Sequence, residues 1–85
     1  MASRKVYRFT LILKGVTDIT DELENAVLDA GCDDALLWSR DGVAGLDFDR
    51  ERVSEWRAIG SAVDALRSAG YAVARVEFDE PVLAG

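Results

Sequence analysis

The sequence of 85 residues contains no histidine, one cysteine and one proline. Without histidine, the chain lacks the commonest general base and the commonest metal ligand. Cys32 alone cannot form an internal disulfide or a cysteine-rich zinc site, so we interpret it as a small buried residue. No apolar run approaches the ~20 residues that span a bilayer, and the first residues lack the apolar core of a signal peptide. These absences predict a cytoplasmic chain without a cofactor, a bound metal or a membrane partner.

Acidic charge is concentrated in the middle of the chain. The net charge is −6, and residues 15–49 contain ten acidic residues but a single basic one, Arg40. Such a balance repels phosphate and therefore argues against direct binding of nucleic acid. It permits a basic protein partner or mimicry of nucleic acid, and it also fits the surface of an ordinary soluble domain.

The periodicity of apolar residues predicts four strands and two helices. Alternation predicts a strand over residues 5–13, and Thr20 is a suitable N-cap for a helix that ends at Gly31. Short strands over 35–39 and 43–48 flank the turn signal Arg40-Asp41-Gly42 and predict a hairpin. A second helix over residues 50–69, capped by Asp49 or Ser54, and a strand over 72–78 complete the pattern. The predicted apolar stripe of the second helix is Val53, Trp56, Ile59, Val63 and Leu66.

This order of elements predicts an α+β domain of the ferredoxin-like βαββαβ class over residues 1–80, followed by a tail over 81–85. Its four-stranded antiparallel sheet has the strand order 4-1-3-2 and carries both helices on one face. The side chains expected beneath the helices are Tyr7, Phe9, Leu11, Leu13, Leu37, Ala44, Leu46, Phe48, Ala74, Val76 and Phe78. The open face is expected to show Arg8, Thr10, Ile12, Leu36, Trp38, Val43, Gly45, Asp47, Val73, Arg75 and Glu77.

The candidate partner-binding residues lie on that open face and in the acidic segment. Trp38 is the one large aromatic residue of the open face, with Leu36 beside it, and tryptophan is enriched at interaction hot spots. Partial burial of Trp38 beneath a loop or the tail is the alternative. Asp47 is predicted to face Arg8 across the central strands. The acidic candidates are Asp33, Asp34 and Asp41, for which the alternative is a solvated polar loop.

No enzyme motif is present. The spacing of Asp47, Asp49 and Glu51 is the best candidate for a cation site, but nothing else in the chain is spaced to complete the ligand shell. We interpret these three residues as solvated acids. The chain also lacks a glycine-rich phosphate loop, a CxxC pair and the stacking aromatics of RNA-recognition domains.

Four segments carry a resemblance to a known family: YRFTLIL from residue 7, DITDELENA from residue 18, AGCDDALL from residue 30 and LDFDRE from residue 46. Together they resemble the N-terminal domain of small, uncharacterised bacterial proteins. In those proteins a helix-turn-helix DNA-binding segment usually follows the fourth strand, and the resemblance here covers residues 6–78 without such a segment. It implies a non-enzymatic accessory domain and carries over no catalytic residues.

Two functions stay open at this point. The first is a protein-interaction domain, similar to the accessory domain of a bacterial DNA-binding regulator, that dimerises or contacts a second protein. The alternative is an acidic phage-type inhibitor, such as an anti-CRISPR or anti-restriction factor, that blocks the nucleic-acid-binding surface of a basic protein.

Overall fold

The fold is seen in a computed structural model that describes residues 5–78. The elements are β1 (Lys5–Leu13), α1 (Asp21–Asp29), β2 (Ala35–Arg40), β3 (Val43–Arg52), α2 (Glu55–Ser68) and β4 (Val73–Phe78). The strands form one four-stranded antiparallel sheet in the order β2-β3-β1-β4, which is the predicted order read from its other edge. The α+β architecture is therefore confirmed, while the predicted tail over 81–85 lies outside the described residues.

One face of the sheet and both helices enclose the hydrophobic core. Phe9 and Phe48 are directly opposite each other on the central strands, and their rings stack with centroids 5.3 Å apart. Leu23 and Val27 of α1 belong to the same buried cluster. The cluster also contains Ala58, Ile59, Ala62 and Leu66 of α2. Both helices therefore cover the same face, and the other face carries neither of them.

Local signals start and end the elements largely as predicted. The hydroxyl of Thr20 accepts a hydrogen bond from the Leu23 N–H at 3.1 Å, which satisfies one of the donors left unpaired at the start of a helix. In the β2–β3 hairpin, Asp41 and Gly42 both have positive φ, at 53° and 77°. That pair of angles matches the right-handed twist of the flanking strands, and Asp-Gly adopts it readily.

The predicted boundary between the third strand and the second helix is wrong. β3 continues to Arg52 because residues 49–52 pair with the first residues of β1, and Ser54 rather than Asp49 caps α2. The predicted stripe of α2 is also wrong at its start: Val53 precedes the helix, and Trp56 is 85% exposed. Ala58 is buried instead, in the same core cluster as Ile59, Ala62 and Leu66.

A register shift changes which residues of β4 face inward. Ile12 pairs with Arg75, but its neighbour Leu13 pairs with Val73, so one extra residue is inserted at Ala74. Such a bulge reverses the alternation of side chains on one side of it. Val73 therefore packs against the core and Ala74 is exposed, the opposite of the predicted assignment.

Candidate protein-binding face

Two rows of paired residues cross the middle of the open face. Leu36, Asp47, Thr10 and Glu77 form one row from β2 to β4, and Trp38, Gly45, Ile12 and Arg75 form the next. Along the first row and beside Trp38 lies a depression of about 360 Å³. We call its lining the Trp38 patch, which consists of Thr10, Leu36, Trp38, Arg40, Asp47 and Glu77.

The indole ring of Trp38 is held in place by a hydrogen bond and by close contact with the sheet. Its Nε1–H donates to Oδ1 of Asp47 at 2.9 Å, and the hydroxyl of Thr10 donates to the same oxygen at 2.7 Å. The ring lies over Gly45, where a Cβ atom would collide with it. Glycine at this position is therefore what lets the ring lie flat on the sheet, and Trp38 is half-buried by the sheet itself.

One exposed apolar side chain of the patch lies beside the fixed ring. Leu36, two residues earlier on the same strand, is 68% exposed. Gly45 separates Trp38 on β2 from Ile12 on β1, because both are its cross-strand partners. Ile12 is buried although it belongs to the open face. The patch thus combines an exposed aliphatic group, a fixed aromatic ring and a carboxylate whose oxygen is already hydrogen-bonded.

The Trp38 patch contains three of the six predicted partner-binding residues, namely Trp38, Leu36 and Asp47. Asp33 and Asp34 join Leu36 and Asp47 in a second depression, whereas Asp41 lines neither of the two. Asp33 and Asp34 lie just before β2, whereas Asp41 lies in the turn just after it. The eight positions from 33 to 41 correspond to roughly 25 Å of extended chain.

A second depression, of about 530 Å³, lies at the start of β2. Its polar lining is Arg8, Asp33, Asp34, Asp47 and Asp49. The predicted pairing of Arg8 with Asp47 is wrong by two residues: Asp49 is the cross-strand partner of Arg8, at 3.2 Å between Nε and Oδ1. Thr10 takes the position opposite Asp47.

Asp34 makes an ion pair that the sequence prediction missed. Its two carboxylate oxygens accept hydrogen bonds from Nε and Nη2 of Arg50, both at 2.7 Å. The hydrogen bond and the charge of Arg50 hold the pKa of Asp34 below its ordinary value, although partial burial opposes this shift. The hydrogen bond that Arg50 donates to Asp34 likewise raises the pKa of Arg50.

The guanidinium of Arg50 is enclosed by the fold. It donates from Nη1 to the hydroxyl of Ser61 on α2 at 3.1 Å and lies over the ring of Phe48, 5.0 Å from its centroid. Ser61 in turn donates to the carbonyl of Ala58. Arg50 thus ties the loop before β2 to α2, so we assign Asp34 to the fold rather than to a binding surface. The alternation of Leu46, Phe48 and Arg50 is the sequence signal that places Arg50 inside.

Two carboxylates of the open face, those of Asp47 and Asp49, are engaged with protein donors. Asp47 accepts from Trp38 and Thr10, and Asp49 pairs with Arg8. Within residues 5–78, no group of three or more histidine, cysteine, aspartate or glutamate side chains is arranged to hold a metal ion. Cys32 is buried, as predicted.

Comparisons with known proteins supply no relative for this chain. It matches no family model, and no curated protein or solved structure is significantly similar to it. In the described part of the chain, none of the helices has the length and apolar character needed to cross a membrane.

Proposed function

We propose that the chain is a non-enzymatic protein-interaction domain of the ferredoxin-like class, which binds a protein partner through the Trp38 patch. The order of elements and the strand order support the ferredoxin-like assignment. The resemblance of residues 6–78 to the accessory domain of bacterial DNA-binding regulators supports a role in contacting a regulator or a second copy.

The observation that carries this proposal is the fixed indole of Trp38 beside the exposed Leu36. A partner that covers the patch buries both side chains, and the ring loses little conformational freedom because Asp47 and Gly45 already hold it. Rigid aromatic anchors of this kind carry a large share of the binding energy in protein interfaces.

The charge around the patch favours a basic partner. Asp33 and Asp41 are exposed and lie at the two ends of β2, and the chain as a whole is acidic. A partner with basic groups on either side of an apolar contact would match this distribution, and charge complementarity would speed its association.

The second depression favours one alternative function. Four carboxylates and a single basic residue, Arg8, form its polar lining; Asp33, Asp47 and Asp49 are exposed there, while Asp34 is held by Arg50. An acidic inhibitor could use this surface to occupy the nucleic-acid-binding groove of a basic protein, in the manner of an anti-CRISPR or anti-restriction factor. Such an inhibitor would bind its target in competition with nucleic acid, whereas a regulator domain would not.

Affinity capture followed by mass spectrometry tests the proposal with two matched tryptophan variants. Trp38→Ala removes the anchor, whereas Trp56→Ala removes a tryptophan that is more exposed and lies on α2. We expect the partner to be captured by the wild type and by Trp56→Ala, and lost with Trp38→Ala.

Leu36→Ser distinguishes loss of binding from loss of folding. Leu36 is mostly exposed, so its replacement should leave the fold intact. Loss of capture with both Trp38→Ala and Leu36→Ser supports binding through the patch. Equal capture by all variants overturns it.

A further inference from the structure

We propose that the partner of the Trp38 patch contributes an arginine side chain, whose guanidinium stacks on the outer face of the Trp38 indole and pairs with the carboxylate of Asp47. This inference deepens the proposed function and rests on it, because it names the chemical group that the same patch binds. Arginine and tryptophan are both enriched among the residues that dominate the binding energy of protein interfaces.

The indole of Trp38 has one face covered by the sheet and one face free for contact. Its six-membered ring lies directly over Gly45. Because the ring also lines the depression of the Trp38 patch, the face turned away from Gly45 borders open space. The electron-rich face of an indole attracts a cation, and the planar guanidinium of arginine stacks flat on such a ring.

In the described part of the chain, the charge of Asp47 has no basic partner. Oδ1 of Asp47 accepts from the indole N–H of Trp38 and from the hydroxyl of Thr10, and both donors are neutral. None of the ion pairs among residues 5–78 includes Asp47. Since these hydrogen bonds go to Oδ1, Oδ2 keeps its capacity to accept from a guanidinium.

The unbalanced charge of Asp47 decides which side chain fits the patch. The hydrogen bond of 2.9 Å holds the carboxylate at the edge of the indole, so a cation stacked on the ring lies within its reach. Leu36, the cross-strand partner of Asp47, is exposed and offers a surface to the aliphatic stem of an arginine. A partner that covered the patch with an apolar or acidic side chain would enclose the charge of Asp47 without a counter-charge, which is costly.

Arg40 lines the same depression and provides a test of the sign of the bound charge. It follows Trp38 by two residues on β2, so it lies on the same face of the sheet, and it is exposed. Within residues 5–78, the guanidinium that lies over an aromatic ring is that of Arg50, over Phe48, so Arg40 does not occupy the outer face of Trp38. Arg40 should repel an incoming arginine and attract an incoming carboxylate. Removal of its charge should therefore strengthen the binding of a cation.

NMR of the indole N–H signals of the full chain, during titration with N-acetyl-arginine amide at constant ionic strength, tests the contact. The chain has two tryptophans, and Trp56→Phe identifies their signals. Trp56 is more exposed, but among residues 5–78 no hydrogen bond joins its indole to a carboxylate as one does for Trp38. We expect the Trp38 signal to shift and saturate, and the Trp56 signal to shift less. The matched citrulline amide, which is neutral and similar in shape, should bind about tenfold more weakly.

Three variants separate the charge from the fold. Asp47→Asn keeps an oxygen for the indole N–H but removes the charge, so it should raise the Kd for the arginine amide by about tenfold. Arg40→Gln should lower this Kd by about threefold. Arg57→Gln makes the same change of net charge on the exposed surface of α2, and as the control it should leave the Kd unchanged. Because Arg40 is exposed, Arg40→Gln tests the inference even if Asp47→Asn destabilises the fold.

Equal binding of the arginine and citrulline amides at Trp38 overturns the inference, and so does weaker binding of the arginine amide by Arg40→Gln. A partner that is lost with Trp38→Ala but captured equally by the wild type and a folded Asp47→Asn overturns the inference alone and leaves the proposed function in place. A partner captured equally by the wild type and Trp38→Ala overturns the proposed function, whatever the arginine amide does.

Discussion

The two faces of the sheet each carry an arginine–aspartate ion pair, but one pair is largely buried and the other is exposed. Asp49 and Arg50 are adjacent in β3, but alternation sends Asp49 to the open face and Arg50 to the helical one. The Arg50–Asp34 pair has side-chain exposures of 5% and 26%, whereas the Arg8–Asp49 pair has 68% and 64%. Burial makes an ion pair structural because its loss leaves a charge without a partner. An exposed ion pair contributes little to stability, and the surface around it is available for binding.

Truncation of leucine should give the largest contrast between the faces. Leu46 is fully buried beneath the helices, so Leu46→Ala should lower the free energy of unfolding by about 2–5 kcal/mol. Leu36→Ala, on the exposed part of the open face, should change it by less than ~0.5 kcal/mol. Urea unfolding followed by circular dichroism measures both. Similar midpoints for the two variants would contradict the assignment of faces.

Removal of the buried ion pair should have the next largest effect. Asp34→Asn keeps the shape of the side chain but leaves the Arg50 guanidinium enclosed without a counter-charge. We expect a loss of about 2–3 kcal/mol, below the 3–5 kcal/mol of a fully buried pair because water reaches Asp34. The unfolding midpoint in urea at neutral pH checks this. A midpoint equal to that of the wild type would show that Arg50 is solvated.

The same pair should make the stability depend on pH. The pKa of Asp34 is lower in the folded chain than its ordinary value of 3.8, so its contribution is complete above that pH. The contribution is lost as the pH falls through the lowered pKa. The stability difference between the wild type and Asp34→Asn should therefore shrink on acidification below pH 3.8. Urea midpoints of both proteins across that range measure it, and a difference independent of pH would contradict the role of Asp34.

Features that depend on a few neighbouring residues could be predicted from the sequence, whereas features that depend on distant pairing could not. The cap at Thr20 and the turn at Asp41-Gly42 are short patterns with their own physical cause, and both were predicted correctly. The charged run from Asp49 to Arg52 resembles the first turn of a helix. Only its pairing with β1, more than forty positions away, makes it a strand.

The candidate site shows the same division. Alternation placed Trp38 and Asp47 on one face, which the structure confirms. Their hydrogen bond, and the fit of the ring over Gly45, depend on the β2–β3 register, which the alternation alone does not determine. The predicted partner of Arg8 is wrong because alternation likewise leaves the β1–β3 register undetermined. A slip of two residues keeps every side chain on its face, so the apolar pattern cannot detect it.

Removal of the exposed Arg8–Asp49 ion pair should lower stability much less than removal of the buried Arg50–Asp34 pair. Arg8→Ala should lower the free energy of unfolding by less than ~1 kcal/mol, because solvent screens the pair with Asp49. Added salt should reduce the difference from the wild type further. Thermal unfolding at low and high salt measures it. A loss as large as that of Asp34→Asn would mean that the open face is covered in the folded protein.

The smallest effect on stability is expected for Asp33 and Asp41, whose effect on binding distinguishes the two proposed functions. Asp33→Asn and Asp41→Asn should each change the free energy of unfolding by less than ~0.5 kcal/mol, since both side chains are exposed. Asparagine also tolerates the left-handed backbone at position 41. If the chain is an acidic inhibitor, the double variant should bind its target more weakly, with a slower association rate and a flatter dependence on salt. If it binds through the Trp38 patch, the double variant should slow association but keep most of the affinity, while Trp38→Ala abolishes binding. Binding kinetics at two salt concentrations, measured with the captured partner, separate the two functions, because each predicts a loss with a different variant.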